Sequence, residues 1–230
     1  PNAFSNFNWS KNFCILPTKP TNITWWAGKL YAFDLSNMYR INLDNLVLED
    51  TFEGTGCIGP DSSVVTDIGM FFCDYQGMYW HNGDKAENIS RDIVASSHYG
   101  DDADVIPLGA ATDHKFFAHS WHYINHNIPP KVLFNPRVQS VYFCFQDKHS
   151  DGTIFNGAWV YGLTRKKWSL VDMPTPTGVL TGNRNDVWVS GDNQLYQIDA
   201  NDFERKKFSF YTKTFDLGLA SQDKIFNTID

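Results

Sequence analysis

Three stretches decide how this chain folds: LYAFDLSNMYRI at residues 30–41, MFFCDYQGMYWH at 70–81 and VWVSGDNQLYQI at 187–198. They align without gaps. Each runs from four apolar-rich residues through four turn formers to Met-Tyr or Leu-Tyr, which opens a second run. Aromatic and β-branched runs around Asp, Asn, Gly and Ser read as β-hairpins. Met38, Met78 and Leu195 share one column, and Tyr39, Tyr79 and Tyr196 share the next. The first two copies start at residues 30 and 70, a spacing within the period of propeller blades.

A second repeat runs out of phase with the first. Trp9-Ser10 leads to Pro17-Thr18-Lys19-Pro20-Thr21, and Trp168-Ser169 leads to Pro174-Thr175-Pro176-Thr177. Proline cannot donate to a ladder, so such connectors belong at strand ends. Together the repeats divide the chain into blades: one ending near Pro17, then 21–58, 59–98, 130–174 and 178–211. The 130–174 blade is expected to hold strands at 138–146 and 157–163, an outer strand at 168–173 that carries Trp168 as a packing residue, and a long polar loop from Asp147 to Asn156. Residues 84–98 are the one candidate for a short helix, and 99–129 is the least regular stretch. The expected fold is therefore all-β, a β-propeller of about four to five recognisable blades over residues 1–208 with its first blade incomplete. Residues 209–230 read as a strand leaving the propeller for a further β domain, also incomplete.

Composition agrees with this. The 230 residues are 42% hydrophobic, 20% charged and 16% aromatic, and aromatics favour pleated, half-buried surfaces. The net charge of -7 argues against a nucleic-acid-binding surface, which is usually basic. No apolar run approaches the roughly 20 residues of a membrane helix, and no secretory leader opens the sequence. Cys14, Cys57, Cys73 and Cys144 lack CxxC spacing and read as buried free thiols, as expected in a reducing cytoplasm. The sequons at Asn8, Asn22 and Asn88 then carry no meaning.

Candidate chemistry is sparse. His114, His119, His122 and His126, with Asp113 nearby, are dense enough to suggest zinc, but their spacing fits no zinc motif. Asp101, Asp102 and Asp104 lack the ordered oxygens and closing Glu of a calcium loop. Asp147, Asp151 and Gly152 read as hairpin-loop residues. The sialidase blade signature is absent, Ser150-Asp151-Gly152 being wrongly spaced, and nothing picks out a carboxyl pair for glycoside hydrolysis. No GxSxG, P-loop or HExxH occurs. The expectation is no enzyme, no cofactor and no metal. The tyrosine column, with Trp159, Trp168 and Trp188, reads as packing between blades.

The stretch 63–90, SVVTDIGMFFCDYQGMYWHNGDKAENIS, carries Thr66, Gly69, Asp74, Gly77, Tyr79, Gly83, Ile89 and Ser90. On those positions it resembles a blade of tailed-bacteriophage β-propeller virion proteins. VYFCF and GAWVYGLTRKKWS (141–145 and 157–169) resemble a second such blade. TKTFDLG with Asp223-Lys224 resembles the segment in which those proteins leave the propeller. The resemblance implies a nozzle, tubular tail or head-closure protein. It would sit in the virion tail after assembly in the host bacterial cytoplasm, in a six-fold ring of identical subunits. Its neighbours would be portal, adaptor or tail-fibre proteins, and DNA would pass the lumen without specific binding. The competing reading is a receptor- or glycan-binding propeller whose exposed loop aromatics, Trp121, Tyr123 and Phe155, stack on sugars.

Overall fold

The computed structural model describes residues 13–91, 121, 124–148, 152, 154–173, 176–181, 186–191 and 194–198. Among them fifteen strands form four antiparallel sheets, and there is no α-helix. The first sheet holds β1 (Asn22–Trp26), β2 (Lys29–Phe33), β3 (Asn37–Asn42) and β4 (Val47–Glu53), and the second holds β5 (Ser63–Thr66), β6 (Gly69–Cys73), β7 (Met78–His81) and β8 (Ala86–Asn88). The third holds β9 (Lys131–Asn135), β10 (Ser140–Lys148), β11 (Ile154–Gly162) and β12 (Lys167–Asp172), and the fourth β13 (Gly178–Thr181), β14 (Val187–Gly191) and β15 (Gln194–Ile198). Within each sheet, spatial order follows chain order, so every sheet is an up-and-down meander.

The three aligned stretches become β2–β3, β6–β7 and β14–β15, and they share one pairing register. Phe33 faces Met38, Cys73 faces Met78 and Ser190 faces Leu195. The third copy carries Gly191 where the others have Asp34 and Asp74, and there the ladder runs one pair further, to Gly191 facing Gln194. Register is this strict because alternate residues feed different cores, and a slip of one residue would exchange them.

The sheets stack face to face in chain order. Between the first and second lie Tyr31, Phe33, Met38, Cys57, Met70, Phe72 and Tyr79. The residues alternating with these on β6 and β7, namely Phe71, Cys73 and Met78, turn the other way. They meet Val132, Val141, Phe143 and Phe145 of the third sheet. Leu133, Tyr142, Cys144, Ala158 and Val160 complete the pattern against Val187 and Val189 of the fourth. Both faces of the middle sheets are therefore apolar, which explains why β6 is buried along its whole length and why alternation is absent from its sequence. The opening strand of each sheet also lies beside that of the next: β1 by β5, β5 by β9 and β9 by β13.

Connections are stitched at close quarters. The Cys57 N–H donates to the Asp34 carbonyl (2.9 Å), Ser62 Oγ to the Pro130 carbonyl, and the Val132 N–H to the Asp61 carbonyl (2.7 Å). Gly56 crosses the Leu35–Ser36 backbone so tightly that a Cβ there would lie 2.2 Å from the Leu35 carbonyl, so no other residue fits without moving the turn.

Three expectations need correction. Residues 86–88 are a strand, not part of a helix, because Tyr79, Trp80 and His81 pair with Asn88, Glu87 and Ala86. Both ends of the polar loop expected from Asp147 to Asn156 are ladder: Gln146 faces Asn156, Asp147 faces Phe155 and Lys148 faces Ile154, where Phe145 and Phe155 pack together. The strand expected at 138–146 divides into the β9–β10 turn and β10, since Pro136 to Gln139 form the turn. The first expected blade falls mainly on residues 1–12, and the segment after residue 208 falls entirely outside the described residues.

Candidate functional site

The first two hairpins repeat a polar module as well as a fold. In each, an Asp closes the first strand and its carboxylate folds back over the turn. Asp34 Oδ1 accepts the N–H groups of Ser36 (2.7 Å) and Asn37 (2.6 Å), and Asp74 Oδ1 accepts those of Gln76 (2.7 Å) and Gly77 (2.9 Å). A carboxylate satisfying two turn N–H groups is why Asp, rather than any polar residue, occupies this column. The column tyrosine then reaches back. Tyr39 Oη donates to Asp34 Oδ2 at 2.6 Å, and Tyr79 hydrogen-bonds Asp74.

The environments diverge from there. Asp34 also receives the Thr18 hydroxyl and the Asn37 side-chain amide. Burial pushes its pKa up, but the bonds from Thr18, Tyr39, Ser36 and Asn37 outweigh burial and hold the carboxyl well below the carboxylate range. At Asp74 burial wins over the bonds from Gln76, Gly77 and Gly56, and the pKa rises. Tyr79 is pushed up by burial and by the adjacent Asp74 charge.

Trp121 lies against this second module. It is 1% exposed, and its indole N–H donates to the Asp74 carbonyl at 2.7 Å. The expectation of an exposed, sugar-stacking Trp121 is therefore overturned: its ring fills the core between the second and third sheets beside Phe145. Phe155 is half-buried on Phe145, and Tyr123 lies outside the described residues.

Of the four clustered histidines only His126 is described, and it stacks on Tyr75 with ring centroids 4.2 Å apart. His114, His119, His122, Asp113, the acidic run 101–104, Ser150 and Asp151 lie outside the described residues. Among the described residues no three His, Cys, Asp or Glu side chains converge. The histidine that sequence reading passed over is His81. It is fully buried among Trp26 (6.1 Å), Tyr31 (5.3 Å) and Phe52 (4.9 Å). Neither ring nitrogen finds a partner in good geometry, although the Lys85 backbone lies close by. Burial and the Arg40 charge lower its pKa. Only its column, opposite Met70, marked it as a core position.

Tyr39 and Tyr79 are buried, as expected for packing residues, whereas Tyr196 is half-buried and its neighbour Leu195 is 57% exposed. Trp168 is half-buried on the last strand of its sheet, packed on Tyr161 (4.7 Å) and Phe143 (5.7 Å). Its indole N–H donates to the Ile89 carbonyl at 3.1 Å and ties the third sheet to the second. Cys57, Cys73 and Cys144 are buried free thiols, while Cys14 is half-buried. Asn22 is 6% exposed and donates to Ser63 Oγ, so this sequon asparagine is a core residue. Beside Trp168 a cleft of about 480 Å³ opens between β8 and the β11–β12 hairpin.

No family model matches the chain, and no curated protein does. Among solved structures it is similar to the extracellular domain of the one-component system BT4673 from B. thetaiotaomicron (11% identity, TM-score 0.37). It is similar also to that of the hybrid two-component system BT4673 (12% identity, TM-score 0.36). The matches cover 83% and 82% of this chain but 28% of each neighbour, so the chain spans under a third of their length.

Proposed function

We propose that the chain is a non-enzymatic structural part of a bacteriophage tail: β-propeller blades within a ring of identical subunits around the genome's path. The propeller reading is supported by four consecutive meanders stacked face to face with their opening strands adjacent, the arrangement of blades about an axis. The tail reading rests on the pattern over residues 63–90. Its residues are framework parts. Thr66 Oγ1 donates to the Gly69 carbonyl (2.8 Å), and Ser90 Oγ accepts the Met78 N–H (3.0 Å). A Cβ at Gly77 would lie 2.8 Å from Ser90 Oγ, and Asp74 and Tyr79 form the module described above. The pattern thus specifies a blade through the contacts that build it, and the function follows from the kind of protein that uses such blades.

The test is immunogold labelling of intact particles with antibody against this chain, joined to a particle reconstruction. Labelling on the neck or tail axis, with a closed ring and a neutral or acidic lumen, is the expected result. A basic lumen would hold phosphates by counterion release. Label confined to fibre tips, or none on particles, would overturn the reading.

A further inference from the structure

We infer that the cleft between the second and third sheets binds an acidic sugar, a pyranose carrying a carboxylate beside free hydroxyls. The inference goes beyond the assembly role and does not depend on it, because one chain supplies the whole cleft. Its volume of about 480 Å³ is in the range of small-molecule sites. One wall is aromatic: Tyr161 and Trp168 stand 4.7 Å apart with their planes at 45°. The indole is fixed in advance by its N–H bond to the Ile89 carbonyl. Two tilted rings make a corner, which suits a puckered sugar better than a flat base, since a base needs a parallel face.

The rim is basic in an acidic protein. Lys85, Arg91 and Lys166 line the cleft with Glu87 and Asn88, although the chain carries a net charge of -7. Lys29 pairs with Glu49, Arg40 with Glu49 and Asp50, Lys131 with Asp61, and Arg137 with Asp186, while Lys19, Lys148, Arg165 and Lys167 form no ion pair among the described residues but do not line the cleft. Among the described residues Lys85, Arg91 and Lys166 form no ion pair, and all three are exposed. Three unmatched cations against one carboxylate select an anion. The carboxylate refines the choice. Glu87 only accepts hydrogen bonds when ionised, so it repels a bare phosphate but receives a sugar hydroxyl. An acid and hydroxyls on one compact ring satisfy both halves of the rim.

The test uses the whole 230-residue chain, with digalacturonate as probe and galactobiose and inorganic phosphate as comparators, read by calorimetry and tryptophan fluorescence. Saturable digalacturonate binding with a dissociation constant on the order of 1 mM is expected, at least about tenfold tighter than for either comparator. Combining Lys85→Gln, Arg91→Gln and Lys166→Gln should abolish it with an unchanged melting curve, because these side chains are exposed. Trp168→Phe should retain binding while removing most of the fluorescence response. No saturation, equal affinity for galactobiose or for phosphate, or undiminished binding by the triple variant would each overturn the proposal.

Discussion

The β2–β3 and β6–β7 hairpins are copies in sequence, register and turn geometry, yet their buried carboxylates behave oppositely. Asp34 is held ionised by Thr18 and Asn37 in addition to its turn. Asp74 has Gly77 in the place of Asn37 and a tryptophan over its carbonyl. One repeat unit thus hosts a charge that its surroundings welcome and another that they resist. The difference lies in one position of the repeat, Asn37 against Gly77, and in Thr18 outside it, because backbone satisfaction is common to both and these extra donors are not. A repeat pattern specifies the hairpin, while one turn position and the neighbours set its electrostatics.

Removing the partner found only in the second copy should have the largest effect. Trp121→Ala empties a buried indole site and should cost about 3–5 kcal/mol, measured by denaturant unfolding. A loss of a few tenths would mean that the second module does not depend on its tryptophan. Next comes Asp34→Asn. Thr18 and Tyr39 both donate to its carboxylate, and bonds to charged groups are worth about 1.5–3 kcal/mol, so a loss in that range is expected at neutral pH. The acid limb should flatten as well. A lowered folded pKa gives stability that is full above the unfolded value of 3.8 and is lost as pH falls through the folded one.

The matching Asp74→Asn substitution should cost less than about 1 kcal/mol, because an amide oxygen still accepts the Gln76 and Gly77 N–H groups. Its pH signature is inverted. A raised folded pKa means that stability falls as pH climbs from 3.8 through the folded value, and the variant should lose that fall. Equal pH profiles for the two Asn variants would break the comparison. The smallest effect belongs to His81, between the two modules. With its pKa lowered, it should destabilise the fold as pH drops below its ordinary 6.5, ahead of Asp34 in the same titration. Arg40 on β3 adds to that cost, and Asp50 on β4 and Asp84 in the β7–β8 turn reduce it. His81→Leu should remove this first step from a plot of melting temperature against pH.

Much of the architecture was legible because hairpin chemistry is local. Four apolar-rich residues, a turn and Met-Tyr contain their own register, so the copies at 30, 70 and 187 could be aligned before any contact was known. Two kinds of feature were not legible. Asp147 reads as a loop residue until Phe145 and Phe155 are seen to hold the ladder together around it. Trp121 reads as an exposed ligand-stacking aromatic because its partner, the Asp74 carbonyl, is 47 residues away in sequence. The cleft was invisible for the same reason. Lys85, Arg91 and Lys166 come from two sheets, and only the packing of Trp168 on Ile89 brings them to one rim.

The placement of the thiols has a practical consequence. Cys57 lies between the first and second sheets, Cys73 between the second and third, and Cys144 between the third and fourth. Burial pushes Cys57 up to about 11 and Cys144 to about 12, and raises Cys73 as well. The thiolate, not the thiol, attacks an alkylating reagent, so each of these buried sulfurs stays silent until its own pair of sheets parts. The chain therefore carries one chemical clock per seam. Mass-resolved alkylation under native conditions would time the openings one by one and show which junction of the stack yields first.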